Sequence, residues 1–474
     1  MSDLIWMLGV FALVWAILYF MDFIFRSCMF FPYIKFLHDT GFTIKPYGIC
    51  WETMYFNRFI LKMQRIWPSG VRKWFQFGAL MVTLSVIPCL LIILFPVYNY
   101  YASQNSPPVL MPIVPGFTIP ISHLPYYMIA VFISMTFHEF GHALAAVREK
   151  VSIDGYGFSV FLFFPMAFVA LNTEQLKQLT KSEQLRICSA GVWHNMVLCF
   201  STCLLVIISP VILKPFYEQG HGITVVEIPK GTGLDQKGGL MINDVIIDVN
   251  ECPVKTMMDW ENCLNQEYLN SQSGFCVSEE MYKKENSVVE VGSWNCCQNT
   301  SEKMCFRHSD LKISQQLMCL PVRKMTEKAE ICKNNLDCRE KLCLVPVLDI
   351  NSERLLRIGV YSRNAVYYIG GIESFSFVYV GRWIAKTSLP VKYVDMCEMF
   401  IGYIFAFSSG IAMINIIPLF CLDGNYIIEC IIHLFLKSYI PISSDRNKFI
   451  FLLKVIGHVS LIVCGFSVLF TYYF

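Results

Sequence analysis

The sequence predicts a polytopic α-helical membrane protein with a re-entrant, β-like segment and one luminal, Cys-rich domain. Three observations predict it. Of 474 residues, 55% are hydrophobic and only 16% are charged, whereas soluble domains carry about 25% charged residues. Six apolar runs reach the length of about 20 residues that spans a bilayer. Ten of the twenty cysteines crowd into one polar stretch between Cys252 and Cys343. The formal charge of +2 lacks the basic excess of a nucleic-acid binder, so no direct nucleic-acid partner is expected.

The six runs lie near Ile5 to Phe25, Phe75 to Tyr101, Leu124 to Val147, Ile187 to Leu213, Cys397 to Phe420 and Phe449 to Phe474. The first has an acidic start at Asp3 and no small-residue cleavage site after it, so it reads as a retained membrane helix or signal anchor. The segment Gly155 to Leu171, rich in Phe and Val and containing Pro165, is short for a spanning helix. It reads as the re-entrant or sheet-like piece, which membrane depth tolerates where other protein covers its backbone. Asn425 to Leu436 reads as a half-span helix.

The loop Arg26 to Lys73 carries eight Lys or Arg and two acidic residues, which places it in the cytosol by the positive-inside rule. One crossing by each following run then puts Arg148, Lys177, Lys181 and Arg186 on the cytosolic side and the cysteine stretch in the lumen. An even-numbered cysteine cluster without paired CxxC units reads as disulfides in an oxidising compartment rather than as a zinc knuckle. The sequon Asn299-Thr300-Ser301 in the same stretch makes Asn299 a candidate glycosylation site. The expected organisation is 1–74 anchor and loop, 75–215 membrane core, 216–395 luminal domain and 396–474 second membrane core. Within the luminal part, Ile223 to Asn250 alternates apolar and polar residues around a Gly-rich turn and reads as short strands.

His138-Glu139-Phe140-Gly141-His142 is an HExxH motif. On a helix the two histidines face the same way and can share one zinc ion, while Glu139 sits beside the open position as general base for an attacking water. Ionisable groups inside an otherwise apolar span are costly and functional by default, which weighs against a merely satisfied histidine pair. A catalytic zinc usually takes three protein ligands. Asp423, in NIIPLFCLDG after Pro418 and before Gly424, is a candidate third ligand. It is equally readable as a cap for the helix that follows.

HExxH in one membrane helix, followed far downstream by Asn415, Pro418, Asp423 and Gly424 in another, resembles the site-2 protease family of intramembrane zinc metalloproteases. Gln184-Leu185-Arg186 and Ala190-Gly191-Val192-Trp193-His194-Asn195 resemble the animal members. The resemblance implies one Zn²⁺ per chain on His138, His142 and Asp423, with Glu139 as base. It also implies that Asn195, and with it Asn415, lies near the substrate or oxyanion. The Ile223 to Asn250 stretch with Gly238-Gly239-Leu240 resembles the family's PDZ domain, interrupted by the Cys-rich insert and resuming after about Cys343. Such a domain captures extended termini or acts as a steric filter.

The implied function is cleavage of a transmembrane helix in single-pass substrates, after an upstream luminal protease has cut first. Sterol-response and unfolded-protein-response transcription factors are the family's substrates. The expected location is the membrane lipid of the endoplasmic reticulum or Golgi. Two rivals stand beside this reading. One is a prenyl-protein-type HExxH protease, which would draw its third ligand from a downstream glutamate. The other is a non-catalytic zinc-binding scaffold, which would not need Glu139.

Overall fold

The computed structural model describes residues 2–473 apart from 67, 103–120, 162–163, 229–230, 232, 236–237, 270–271, 281–286, 289–302, 310–316, 327–328, 349–352 and 421. Contacts divide the chain into two units, Met1–Ile207 with Met399–Phe474, and Ile208–Glu398.

The first unit begins with helix α1 (Ser2–Ser27). Near its end Asp22, 5% exposed, accepts hydrogen bonds from Arg26 Nε at 2.9 Å and Tyr33 Oη at 2.7 Å. Tyr33 belongs to α2 (Phe31–Thr40), so a buried acid near the end of that apolar helix ties α1 to its successor. Helix α2 stops at Gly41, whose φ of 76° is left-handed and whose N–H caps the Leu37 carbonyl, a geometry that glycine adopts without a Cβ clash.

Strands β1 (Phe42–Lys45) and β2 (Gly48–Thr53) follow, then helices α3 (Asn57–Ile66) and α4 (Pro68–Ala102). The basic 26–73 region is therefore structured rather than an open loop. Helix α5 (Leu124–Arg148) carries Pro125 in its first turn, where a missing N–H costs nothing. Strands β3 (Ile153–Phe161) and β4 (Phe164–Leu171) come next, followed by α6 (Thr173–Gln178) and α7 (Lys181–Leu213). After the second unit the chain returns through α8 (Val391–Ile416), α9 (Asp423–Phe435) and α10 (Ser443–Tyr473).

The segment read as re-entrant or sheet-like is thus a β-hairpin. It joins the 42–53 hairpin in a four-stranded antiparallel sheet ordered β1-β2-β3-β4, with Val160 opposite Pro165 and Tyr156 opposite Val169. Proline cannot donate to a ladder and is confined to edge strands, and β4 is the edge. Among the described residues six helices are long and apolar enough to cross a membrane: Gly9–Ser27, Ser69–Phe95, Ile121–Arg148, Lys181–Leu213, Val391–Ile416 and Ser443–Gly465. They match the six runs read from the sequence and fit an integral, multi-pass membrane protein.

The second unit holds two six-stranded sheets. In one, Ile223–Glu227 and Val245–Val249 pair with strands from beyond the cysteine stretch: Ile358 lies opposite Val249, and Tyr379 opposite Glu227. The second sheet is built from strands between Gly274 and Pro346. Disulfides join Cys252 to Cys263, Cys276 to Cys338 and Cys332 to Cys343, and Cys305 and Cys319 are also disulfide-bonded. Cys296, Cys297 and the sequon at Asn299 lie outside the described residues.

Candidate metal centre

The HExxH residues sit in the C-terminal half of α5, where helical spacing puts His138 and His142 one turn apart on one face. Both are buried, at 5% and 8% exposure. Opposite them, Pro418 ends α8 and the chain turns into α9, whose first residue is Asp423. Its Oδ2 lies 3.0 Å from His138 Nε2 and 3.0 Å from His142 Nε2, and the two Nε2 atoms are 3.1 Å apart. Zinc bonds of 2.0–2.1 Å at tetrahedral angles require ligand separations of roughly 3.3 Å. The three atoms are therefore spaced for one such ion.

Leu422 occupies the N-cap position, with no side-chain capping bond, and the Asp423 carboxylate faces the imidazoles instead of the helix amides. Gly424 is explained by close approach: a Cβ there would come within 2.5 Å of the Ile416 carbonyl oxygen. Glycine lets the start of α9 press against the end of α8.

A second glycine shapes the centre from α7. A Cβ on Gly191 would lie 2.6 Å from both Cε1 and Nε2 of His138, so any side chain would fill the space on which the ligand atoms converge. Across the same helix crossing, a Cβ on Gly141 would sit 2.6 Å from the Ala190 carbonyl and 2.7 Å from His194 Nδ1. Small residues bring membrane helices close in this way. The sequence carried the signal as the Ser189-Ala190-Gly191 run, but as a packing signal it names no metal.

Hydrogen bonds at the far side of the rings orient them. His142 Nδ1 lies 2.8 Å from the Ile187 carbonyl, which can only accept, so that nitrogen carries the proton and Nε2 offers its lone pair. His138 Nδ1 lies 3.3 Å from the Asn195 amide, and Asn195 is fully buried. Glu139 turns toward the sheet, where its Oε2 accepts the Val169 N–H at 3.0 Å. That N–H belongs to edge strand β4, so the acid is fixed between α5 and the strand.

Polar clamps hold the helices that carry these groups. Ser408 Oγ donates to Ser134 Oγ at 2.9 Å between α8 and α5. The Arg186 guanidinium of α7 grips the Glu149 carboxylate at the end of α5 at 2.7 and 3.1 Å, and Lys181 reaches Glu429 of α9 at 2.8 Å. His194 belongs to another environment: it bonds the Ala190 carbonyl at 2.8 Å and packs among Phe75, Phe137 and Phe140. Asn415 stands half-buried near the end of α8, without a hydrogen bond to the cluster among the described residues.

Two carboxyl groups and two imidazoles converge in this pocket, and a divalent cation is a natural ligand for such a donor set where ionisable groups are costly to bury. The N/O donor set and the cradle opposite Gly191 both fit zinc. Residues 126–452 match peptidase family M50. The chain is also 24% identical over 454 residues to a membrane-bound transcription factor site-2 protease homolog of Arabidopsis thaliana, covering 83% of this chain and 86% of the plant protein.

Proposed function

This chain belongs to peptidase family M50, a family of metalloproteases, and from that premise we propose that it is an intramembrane zinc endopeptidase of the site-2 type. The observation that carries the reading is the convergence of His138, His142 and Asp423, residues up to 285 apart in sequence, with their ligand atoms within 4.8 Å of one another. The three would hold the metal and Glu139 would act as general base. A zinc ion bound there supplies the Lewis acid that polarises a scissile carbonyl and activates a water.

The chain's own residues define the rest. Glu139, held by the Val169 amide, would take a proton from the attacking water and return it to the leaving amine. A transmembrane helix shields its carbonyls with its own hydrogen bonds, so a substrate must unwind before attack. Strand β4 offers an edge where an unwound segment can pair in extended form, and Pro165 keeps one position of that edge free of a donor. Asn195 and Asn415 remain the residues proposed to meet the substrate or oxyanion.

The wider reading rests on the same resemblance. Substrates are single-pass, membrane-tethered proteins, transcription factors among them as the relative's name supports, cut after a first luminal cleavage in the endoplasmic reticulum or Golgi. The 216–395 region is proposed as a luminal, PDZ-like domain, glycosylated at Asn299.

The test combines metal analysis of the purified chain with cleavage of a helical membrane substrate. Glu139→Gln should retain zinc while cleavage falls by roughly 10²- to 10⁴-fold, the usual worth of acid/base catalysis. Asp423→Asn should lose zinc, because a neutral amide is a poor substitute for a carboxylate ligand. Full zinc content with near-normal turnover in Asp423→Asn would remove the proposed ligand set.

A further inference from the structure

The two histidines differ in what faces their second ring nitrogen. His142 meets a backbone carbonyl, which can only accept. His138 meets the side-chain amide of Asn195, drawn with Nδ2 toward the ring at 3.3 Å. Asn195 has no exposed surface, and its Oδ1 has no hydrogen-bond partner.

The two ends of a primary amide have nearly the same shape, so hydrogen bonding decides which end faces a neighbour. With Nδ2 toward the ring, His138 Nδ1 must accept, its proton resides on Nε2, and Nε2 is closed as a ligand. With Oδ1 toward the ring, Nδ1–H donates to it. The buried orphan acceptor is then satisfied, and Nε2 is bare on the side of His142 and Asp423.

We propose that Asn195 is a positioning residue, whose Oδ1 accepts from His138 Nδ1–H and fixes the tautomer that presents Nε2 to the metal. This rests on the metal site proposed above. It assigns Asn195 a task distinct from stabilising an oxyanion, which would use Nδ2 as donor. One amide can serve both, since the orientation that gives Oδ1 to His138 releases Nδ2.

The two tasks separate in variants of the full chain in detergent or nanodiscs, with zinc affinity read by chelator competition and geometry by the visible spectrum of the cobalt-substituted protein. Asn195→Ala removes the acceptor and should weaken zinc about 10- to 100-fold, the usual effect of losing such an outer partner. Asn195→Asp keeps an acceptor of the same shape and should restore both affinity and cobalt spectrum, whatever it does to turnover. Wild-type zinc affinity in Asn195→Ala would overturn the inference alone, as would equal weakening in both variants. A wild-type chain that binds no stoichiometric zinc would overturn the site reading and this inference with it.

Discussion

Cysteine is used in opposite ways in the two units. In Met1–Ile207 with Met399–Phe474, Cys28, Cys50, Cys89, Cys188, Cys199, Cys203 and Cys430 all stand outside any disulfide. Among the described residues of Ile208–Glu398, eight cysteines are disulfide-bonded and Cys397 is free. The difference reflects what holds each unit together. Packing of helices in lipid gains little from the hydrophobic effect, so close contact at small residues and buried polar pairs take its place; Gly141, Gly191 and the Ser134–Ser408 bond are the local instances. The second unit buries an apolar core in water, including Ile223, Ile246, Leu356 and Phe375, and adds covalent crosslinks to a region of short strands. One unit should therefore be sensitive to packing volume and metal, and the other to reductant.

The largest expected effect that breaks the comparison on the first side is Gly191→Ala. One methyl group beside His138 Nε2 should reduce bound zinc to background and abolish cleavage, while thermal unfolding of the disulfide unit is unchanged. Metal analysis and differential scanning calorimetry on the same sample check both halves.

On the second side, replacing Cys276 and Cys338 with serine opens a loop of 62 residues. Loop entropy puts the loss near 4 kcal/mol, against about 3 kcal/mol for the 11-residue Cys332–Cys343 loop. Denaturant unfolding of the two variants should show that order, with zinc content untouched in both. Equal losses would mean that the crosslinks act through native packing rather than through the unfolded chain.

The smallest effect concerns Glu267. Burial lifts its carboxyl above the ordinary value of 4.5, while a hydrogen bond from Asn250 Nδ2 at 2.8 Å opposes the lift. A carboxyl raised on folding is destabilising where it is ionised, so this cost should fade as pH drops through the folded pKa toward 4.5. Glu267→Gln should flatten that part of the stability profile of the second unit, measured by unfolding at stepped pH, and leave the first unit's profile alone.

Much of the first unit was legible because its signals are long or chemically unusual. Six apolar runs announce six helices, and HExxH in an oily span stands out because ionised groups are so unfavourable there. From its own residues Asp423 could be nominated but not separated from a helix cap, since the same Asp-Gly step serves both; the resemblance favoured the ligand, and its carboxylate does lie beside the two imidazoles. Gly191 could be read as part of a small-residue packing run but not as a neighbour of the ligand atoms, because a glycine that makes room for a ligand and one that makes room for a helix look alike in sequence. Strands β1 and β2 were hidden among basic residues: four- and six-residue strands become recognisable only when β3 supplies the partner. The disulfide framework was foreseeable from cysteine density, but ten cysteines do not specify their pairs: Cys343 and Cys276 stand opposite each other on paired strands, yet they bridge to Cys332 and Cys338 respectively.

The distance along the chain between the two halves of the metal centre also sets a sequence of events. Between His142 and Asp423 the ribosome must add 281 residues, which takes roughly 15–60 s at about 5–20 residues per second. For that interval the histidine pair exists without its carboxylate partner, and the residues that form the disulfides are all synthesised within it. A nascent chain thus has time to fold its second unit before the candidate centre can be completed, so on the proposed reading newly made protein begins without its full ligand set.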